Sequence, residues 1–178
     1  TIFSPGNHEF HGGVELLKDI FSELDAEILM TNLEKKKSPA FKEVINENKL
    51  ITERIIEVDD DKTPDLKHKV LFLGISPVNL VSYQPHLDGV SLIDNVNKSQ
   101  ALVKPEDYQQ TLDLCKGKIA KFKEENPKGF VVLLSHTGVN FADNLAKESD
   151  INLVFDGHEH KEDVRMVNGT PIIPLSQN

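Results

Sequence analysis

The sequence predicts an α/β fold, with a largely parallel sheet and antiparallel hairpins at its edges. Three observations carry that expectation. Short apolar runs recur at Val70-Leu71-Phe72-Leu73, at Phe130-Val131-Val132-Leu133-Leu134 and over residues 151–155, as in strands covered on both faces. Stretches of helical periodicity stand beside them, over residues 13–24, 106–125 and 141–147. Three short apolar runs also end in polar, Gly-flanked groups: Gly6-Asn7-His8-Glu9-Phe10, Ser135-His136-Thr137-Gly138 and Asp156-Gly157-His158-Glu159-His160. In α/β sheets ligands collect at the carboxyl ends of strands, which is where this reading puts all three.

The chain opens on Thr1-Ile2-Phe3-Ser4-Pro5, an apolar start that breaks into a tight turn carrying an amide and an imidazole. Val14, Leu17, Ile20, Phe21 and Leu24 then recur at helical spacing, so residues 13–24 form an amphipathic helix. Gly12-Gly13 at its mouth admits two readings, a close backbone approach to an anion and a flexible turn. Residues 26–31 make a short buried strand ending at Asn32-Leu33, and Glu34-Lys35-Lys36-Lys37 reads as a solvated loop rather than a phosphate clamp.

Residues 50–58, rich in Ile and Thr, read as one strand of a hairpin or edge pair. Asp59-Asp60-Asp61-Lys62 is the turn after it. The spaced ligands and glycine of a calcium loop are missing there. Residues 76–105 hold Pro77, Pro85, Gly89 and Pro105 with little periodicity and read as irregular. His68 and His86 have no ligand-type neighbours in the sequence and take no functional role.

Residues 106–125 are the clearest helix. Tyr108, Leu112, Cys115, Ile119 and Phe122 mark one stripe, which makes Cys115 a packed thiol rather than a nucleophile. Asn126-Pro127-Lys128-Gly129 stops that helix. Near the end, residues 164–167 and 170–173 flank Asn168-Gly169, the signature of a two-residue hairpin turn.

Composition narrows the function. The chain has 178 residues, 38% hydrophobic and 28% charged, with a net charge of −9. That size suits a single domain. The acidic balance argues against binding a nucleic-acid backbone. It leaves a phosphate substrate open, because bound divalent cations can be the largest local charges in a site. The single Cys115 excludes an intramolecular disulfide framework and a thiolate zinc site. No apolar run approaches the roughly 20 residues of a membrane span. Thr1 is not an initiator methionine and falls just before a motif, so the chain is expected to be a fragment.

Four imidazoles, His8, His136, His158 and His160, stand with the Asn7 amide at three strand ends. That is what a cluster of metal ions needs. His158 and His160 are two apart, where extended backbone puts alternate side chains on one side, and Gly157 lets the chain turn to present both. Alone, a His-x-His pair is weak evidence; the joint placement of the three stretches is what points to metal. Nitrogen and oxygen donors without sulfur suit Mn, Zn, Fe or Co.

With those three motifs the sequence resembles the calcineurin-like metallophosphoesterases. Thr31-Asn32-Leu33, the 70–75 strand, Asp143-Asn144-Leu145-Ala146 and Val167-Asn168-Gly169-Thr170-Pro171 narrow the resemblance to the catalytic domain of the 5′-nucleotidase and 2′,3′-cyclic-nucleotide phosphodiesterase branch. The resemblance covers nearly the whole chain. It implies a partial four-layer α/β/β/α sandwich over residues 1–178, N-terminally truncated and without the branch's C-terminal nucleotide-binding domain.

It also implies that Asn7, His136 and His158 bind one metal and His160 the other, from a pair of divalent ions in the complete protein. His8 binds no metal in this reading and instead meets the scissile phosphate. The implied reaction is hydrolysis of nucleotides or related small phosphoesters, by in-line attack of a water that metal activates. Location outside the cytoplasm (periplasmic, cell-surface or secreted) is implied as well.

Two departures stand out. The family's opening Asp-x-His and Gly-Asp-x-x-Asp patterns are missing: no Gly-Asp dipeptide occurs, and the one Asp-x-His is Asp156-Gly157-His158. Half the ligands are therefore absent, and this chain alone is expected to be inactive or nearly so. His11 stands where many relatives carry Asp; it admits two readings, reaching the site and facing solvent, of which the second is preferred. The alternative is a non-catalytic surface or binding protein built on a degenerate phosphoesterase scaffold.

Overall fold

Two sheets divide the strands of the computed structural model, which describes residues 1–46, 49–60, 63–80, 87–138, 140–158 and 163–175. The smaller sheet is parallel, in the order β1 (Ile2–Phe3), β2 (Glu27–Leu29) and β3 (Leu50–Ile51). Against it pack α1 (Gly13–Glu23) and the short α2 (Lys42–Asn46). Leu17 and Phe21 from α1, Val44 from α2, and Ile28 and Leu50 from the strands share one buried cluster with Phe10 and Phe41.

The larger sheet has six strands: β4 (Arg54–Asp60), β5 (Thr63–Ile75), β6 (Phe130–Ser135), β7 (Leu153–Asp156), β8 (Arg165–Val167) and β9 (Thr170–Pro174). Their order is β4-β5-β6-β7-β9-β8. The four inner strands are parallel, and β4 and β8 close the edges antiparallel. Alternate residues Leu71, Leu73 and Ile75 of β5 and Val131 and Leu133 of β6 point to one face. There they meet Leu112, Cys115, Ile119 and Phe122 of α3 (Gln109–Glu125) and Phe141 and Leu145 of α4 (Phe141–Glu148).

The opposite face of the larger sheet meets the smaller one. Gly74 of β5 is there because nothing larger fits: an added Cβ would lie 2.5 Å from the Leu29 carbonyl oxygen and 2.7 Å from Ser4 Oγ. The junction is hydrogen-bonded too. Thr31 N–H donates to Gly74 O at 2.7 Å, and Gly74 N–H donates to Thr31 Oγ1 at 3.0 Å. One residue on, the fully buried Asn32 side chain donates to Ser76 O at 2.9 Å and accepts from Ser76 N–H at 3.2 Å. Helices outside and two sheets inside make the expected layering.

Most expected elements are found, with two corrections. Residues 50–58 are not one strand: Leu50–Ile51 joins the smaller sheet beside β2, and Arg54–Asp60 pairs antiparallel with β5 in the larger one. The chain changes sheets at Thr52-Glu53, a choice of partner that strand propensity does not encode. The turn expected over residues 59–62 shifts as well. Asp59 and Asp60 still belong to β4, and residues 61–62 lie outside the described residues, as does His86. The Asn168-Gly169 turn has φ of 50° and 83°, both positive as a type I′ hairpin demands. No helix among the described residues is long and apolar enough to cross a membrane.

Candidate metal centre

The loop after β1 is folded by its own short-range chemistry. Gly6 N–H donates to Glu9 Oε2 at 2.7 Å, and His8–Phe10 closes a single 3₁₀ turn. Phe10, fully buried among Leu17 and Phe21, anchors the turn in the core. From the other sheet, Ser76 Oγ donates to Pro5 O at 2.9 Å. Asn7 is thereby held at the carboxyl end of β1 with only 6% of its surface exposed.

His136 and His158 come from the other sheet. The parallel ladder runs on past the strand ends: His136 N–H donates to Ile75 O at 2.9 Å and Gly157 N–H to Ser135 O at 2.8 Å. The His136 ring lies between two glycine backbones. A Cβ at Gly6 would stand 2.6 Å from His136 Cε1, and one at Gly157 would stand 2.6 Å from His136 Nδ1. Gly157 reads in the sequence as the sharp turn before His158; its backbone also makes room for a neighbouring imidazole. His158 itself has φ of +77°, a left-handed conformation costing a side-chain-bearing residue roughly 1–2 kcal/mol.

The three side chains meet at one atom. Asn7 Oδ1 lies 3.0 Å from His136 Nε2 and 3.2 Å from His158 Nδ1. The two rings stand edge to face with centroids 5.3 Å apart. Two donors about 2.1 Å from one cation and at right angles are about 3.0 Å apart, so this spacing suits neighbouring ligands of a single ion. An amide oxygen accepts only, so each nitrogen facing it carries a proton as a hydrogen bond. Metal capture would need the lone pair on that nitrogen instead, which the other neutral tautomer of each ring supplies. The donor set fits one divalent ion in kind and spacing, without a carboxylate.

The remaining motif residues are placed differently. His8 is exposed next to Asn7, its ring centroid 4.6 Å from that of His11. His11 is exposed, as expected, and edge-on to His8. Glu159 and His160 lie outside the described residues. His68 sits on the β4–β5 ribbon, 3.0 Å from Asp60 Oδ2, a carboxylate neighbour that only the hairpin pairing supplies. Among the described residues no three His, Cys, Asp or Glu side chains gather where they could share an ion.

A cleft of about 200 Å³ opens beside His136, lined by Ile2, Phe3, Ser4, Leu134 and Phe155 among others. Ser4 Oγ is buried there without a hydrogen-bond partner among the described residues. A larger groove of about 530 Å³ runs between β4 and α3, past Glu53, Ile55, Leu114, Lys118 and Phe122, and includes none of the motif residues. Gly13, with φ of +78°, begins α1 in a left-handed turn.

Two features near the centre have no assigned role in the sequence reading. Thr31 and Asn32 are legible as a motif, but their work as the clamp between sheets depends on Gly74 and Ser76, more than 40 positions away. Arg165 is the other. Its guanidinium donates to Asp143 Oδ1 of α4 and to Asp156 Oδ2 of β7, each at 2.9 Å. Burial works to lower its pKa, and the hydrogen bonds it donates to Asp143 and Asp156 outweigh that and raise it. Cys115 needs no role: burial pushes its thiol up to about 12.

The architecture is that of the calcineurin-like phosphoesterases and 5′-nucleotidases. The calcineurin-like phosphoesterase YfkN from Bacillus subtilis matches 98% of this chain and 54% of its own, with a TM-score of 0.68 at 21% identity. A 5′-nucleotidase precursor from Thermus thermophilus matches 98% of this chain and 32% of its own, with a TM-score of 0.64 at 16% identity. The chain thus spans about half of the first and a third of the second. No protein-family model matches the sequence, and neither does any curated protein.

Proposed function

We propose that this chain is part of a metal-dependent hydrolase of nucleotides or related small phosphoesters. The observation that carries the reading is the meeting of Asn7 Oδ1 with His136 Nε2 and His158 Nδ1, on a fold shared with phosphoesterases. In this proposal Asn7, His136 and His158 hold one divalent ion, and His160 serves a second in the complete protein, with Mn, Zn, Fe or Co as the ions.

Such ions, when bound, polarise a phosphoryl group and lower the pKa of the attacking water, together worth several kcal/mol of barrier. The chain's own residues do the rest. Gly6 and Gly157 bracket the His136 ring and restrict its plane. His8, exposed beside Asn7, is free to face a substrate and protonate its leaving oxygen, help worth about 10²–10⁴-fold. Asn7, His136 and His158 bring no carboxylate, no Gly-Asp-x-x-Asp occurs in the sequence, and its one Asp-x-His, Asp156-Gly157-His158, already contains a proposed ligand. The chain alone is therefore proposed to hydrolyse phosphoesters weakly or not at all. A working place outside the cytoplasm is part of the proposal, supported by the likeness to a 5′-nucleotidase precursor.

The second reading is a binding protein on a degenerate scaffold. Metal titration separates the two. The hydrolase reading expects Mn²⁺ or Zn²⁺ to bind the chain and to be lost in the His136→Ala/His158→Ala double variant. Equal uptake by both proteins removes the assignment. Fast metal-dependent cleavage of p-nitrophenyl phosphate by the 178-residue chain would instead overturn the inference that it is nearly inactive alone.

A further inference from the structure

His136 and His158 sit on separate loops, and one side chain ties the two loops together. His136 follows β6, and the chain then enters α4, whose third residue is Asp143. His158 follows β7, whose last residue is Asp156. Arg165, at the start of β8, reaches both. Nε lies 2.9 Å from Asp143 Oδ1, while Nη2 lies 2.7 Å from that oxygen and 2.9 Å from Asp156 Oδ2. All three side chains are mostly out of water, Asp156 at 12% exposure.

Geometry makes this link consequential. His158 is two residues beyond Asp156 and holds a left-handed φ of +77°, a state that persists only when its surroundings over-determine it. Gly157, between them, packs against the His136 ring. A shift of the Asp156 backbone therefore moves both imidazoles relative to Asn7. A planar fork that engages two carboxylates fixes direction as well as distance, which an ammonium group does not.

We propose that Arg165 is a positioning residue for the donor pair, holding Asp143 and Asp156 so that both imidazoles converge on Asn7 Oδ1. The claim concerns ring placement; its consequence for affinity rests on the metal reading above.

The test uses the whole chain with Arg165→Lys, Arg165→Ala and, as a milder cut, Asp143→Asn, each checked for fold by circular dichroism. Imidazole resonances are read in the metal-free protein, and Zn²⁺ affinity by calorimetry. The expected result is that the His136 and His158 resonances move in the Arg165 variants while His68 stays put, and that Zn²⁺ binds about 10–100-fold more weakly, as when a supporting partner of a ligand is lost. Asp143→Asn moves the same resonances less and keeps the proposal open to refutation if the Arg165 variants unfold. Ring resonances unchanged in a folded variant overturn the proposal, even where its melting temperature has dropped. If the parent chain binds no Zn²⁺ but its rings still move, the positioning claim stands and the metal reading falls.

Discussion

Asn7 and His136 are 129 positions apart in the chain, yet Asn7 Oδ1 lies 3.0 Å from His136 Nε2. Each stands just beyond the carboxyl end of a strand, and the strands belong to different sheets. The centre therefore exists only because two sheets are docked with their strand ends level. That docking rests on Gly74 and on the Thr31 and Asn32 hydrogen bonds below the site.

Removing a donor tests the centre directly. Asn7→Ala, His136→Ala and His158→Ala should each weaken Zn²⁺ or Mn²⁺ binding by at least the 10–100-fold that losing a supporting partner costs. Isothermal titration with each ion reads this. Three variants that bind like the parent would leave the donors with no shared ion.

Gly157→Ala and Gly6→Ala probe the ring's confinement. Each new Cβ would come within 2.6 Å of the His136 ring, so the imidazole must swing away. Metal affinity should fall while the helical signal in circular dichroism is retained. An affinity equal to that of the parent would mean the ring has room the geometry denies it.

Gly74→Ala tests the contact between sheets. The added methyl meets a backbone oxygen at 2.5 Å, and backbone cannot swing aside as a flexible side chain can. Overpacking of this kind costs about 1–3 kcal/mol, measurable as a lower urea midpoint at constant slope. An unchanged midpoint would show that the sheets are not in close contact there.

Asn32→Ala tests the clamp. It leaves the buried Ser76 N–H and C=O without their side-chain partner, at a cost of about 1–3 kcal/mol. Because the same Ser76 holds Pro5 just before Asn7, metal binding should weaken along with stability. Full affinity in this variant would separate the clamp from the centre.

Cys115 offers a pH readout. Its thiol is pushed up to about 12 by burial, against about 8.5 in an unfolded chain. The folded state holds the proton more tightly, so this group's contribution is complete below about pH 8.5 and is lost as pH rises toward the folded value. Cys115→Ala should flatten that part of the alkaline stability profile. In the parent, a thiol reagent at about pH 8 should label Cys115 only after denaturant is added, because a buried thiol is inert. Rapid native labelling would contradict the burial.

Much of this is legible in the residues themselves. Continuous apolar runs announce β5, β6 and β7. A helical beat announces the stripe from Tyr108 to Phe122, and Asn168-Gly169 announces its hairpin. All are local signals, set by backbone sterics and by which side chains must leave water. The three Gly-flanked motifs are legible for the same reason, since each marks a strand running out into a turn.

Partnership is not legible. Whether Leu50–Ile51 and Arg54–Asp60 share a sheet, what Asn32 holds, and that Arg165 bridges Asp143 and Asp156 all depend on surfaces meeting across long stretches of chain. Local propensity carries no information on which strand edge lies opposite another, because a hydrogen-bonding backbone offers the same groups to every partner. Residue order therefore specifies the elements and the kinds of donor at their ends. That Asn7, His136 and His158 share one point is a property of the docked sheets, which come close enough because Gly74 leaves no side chain between them.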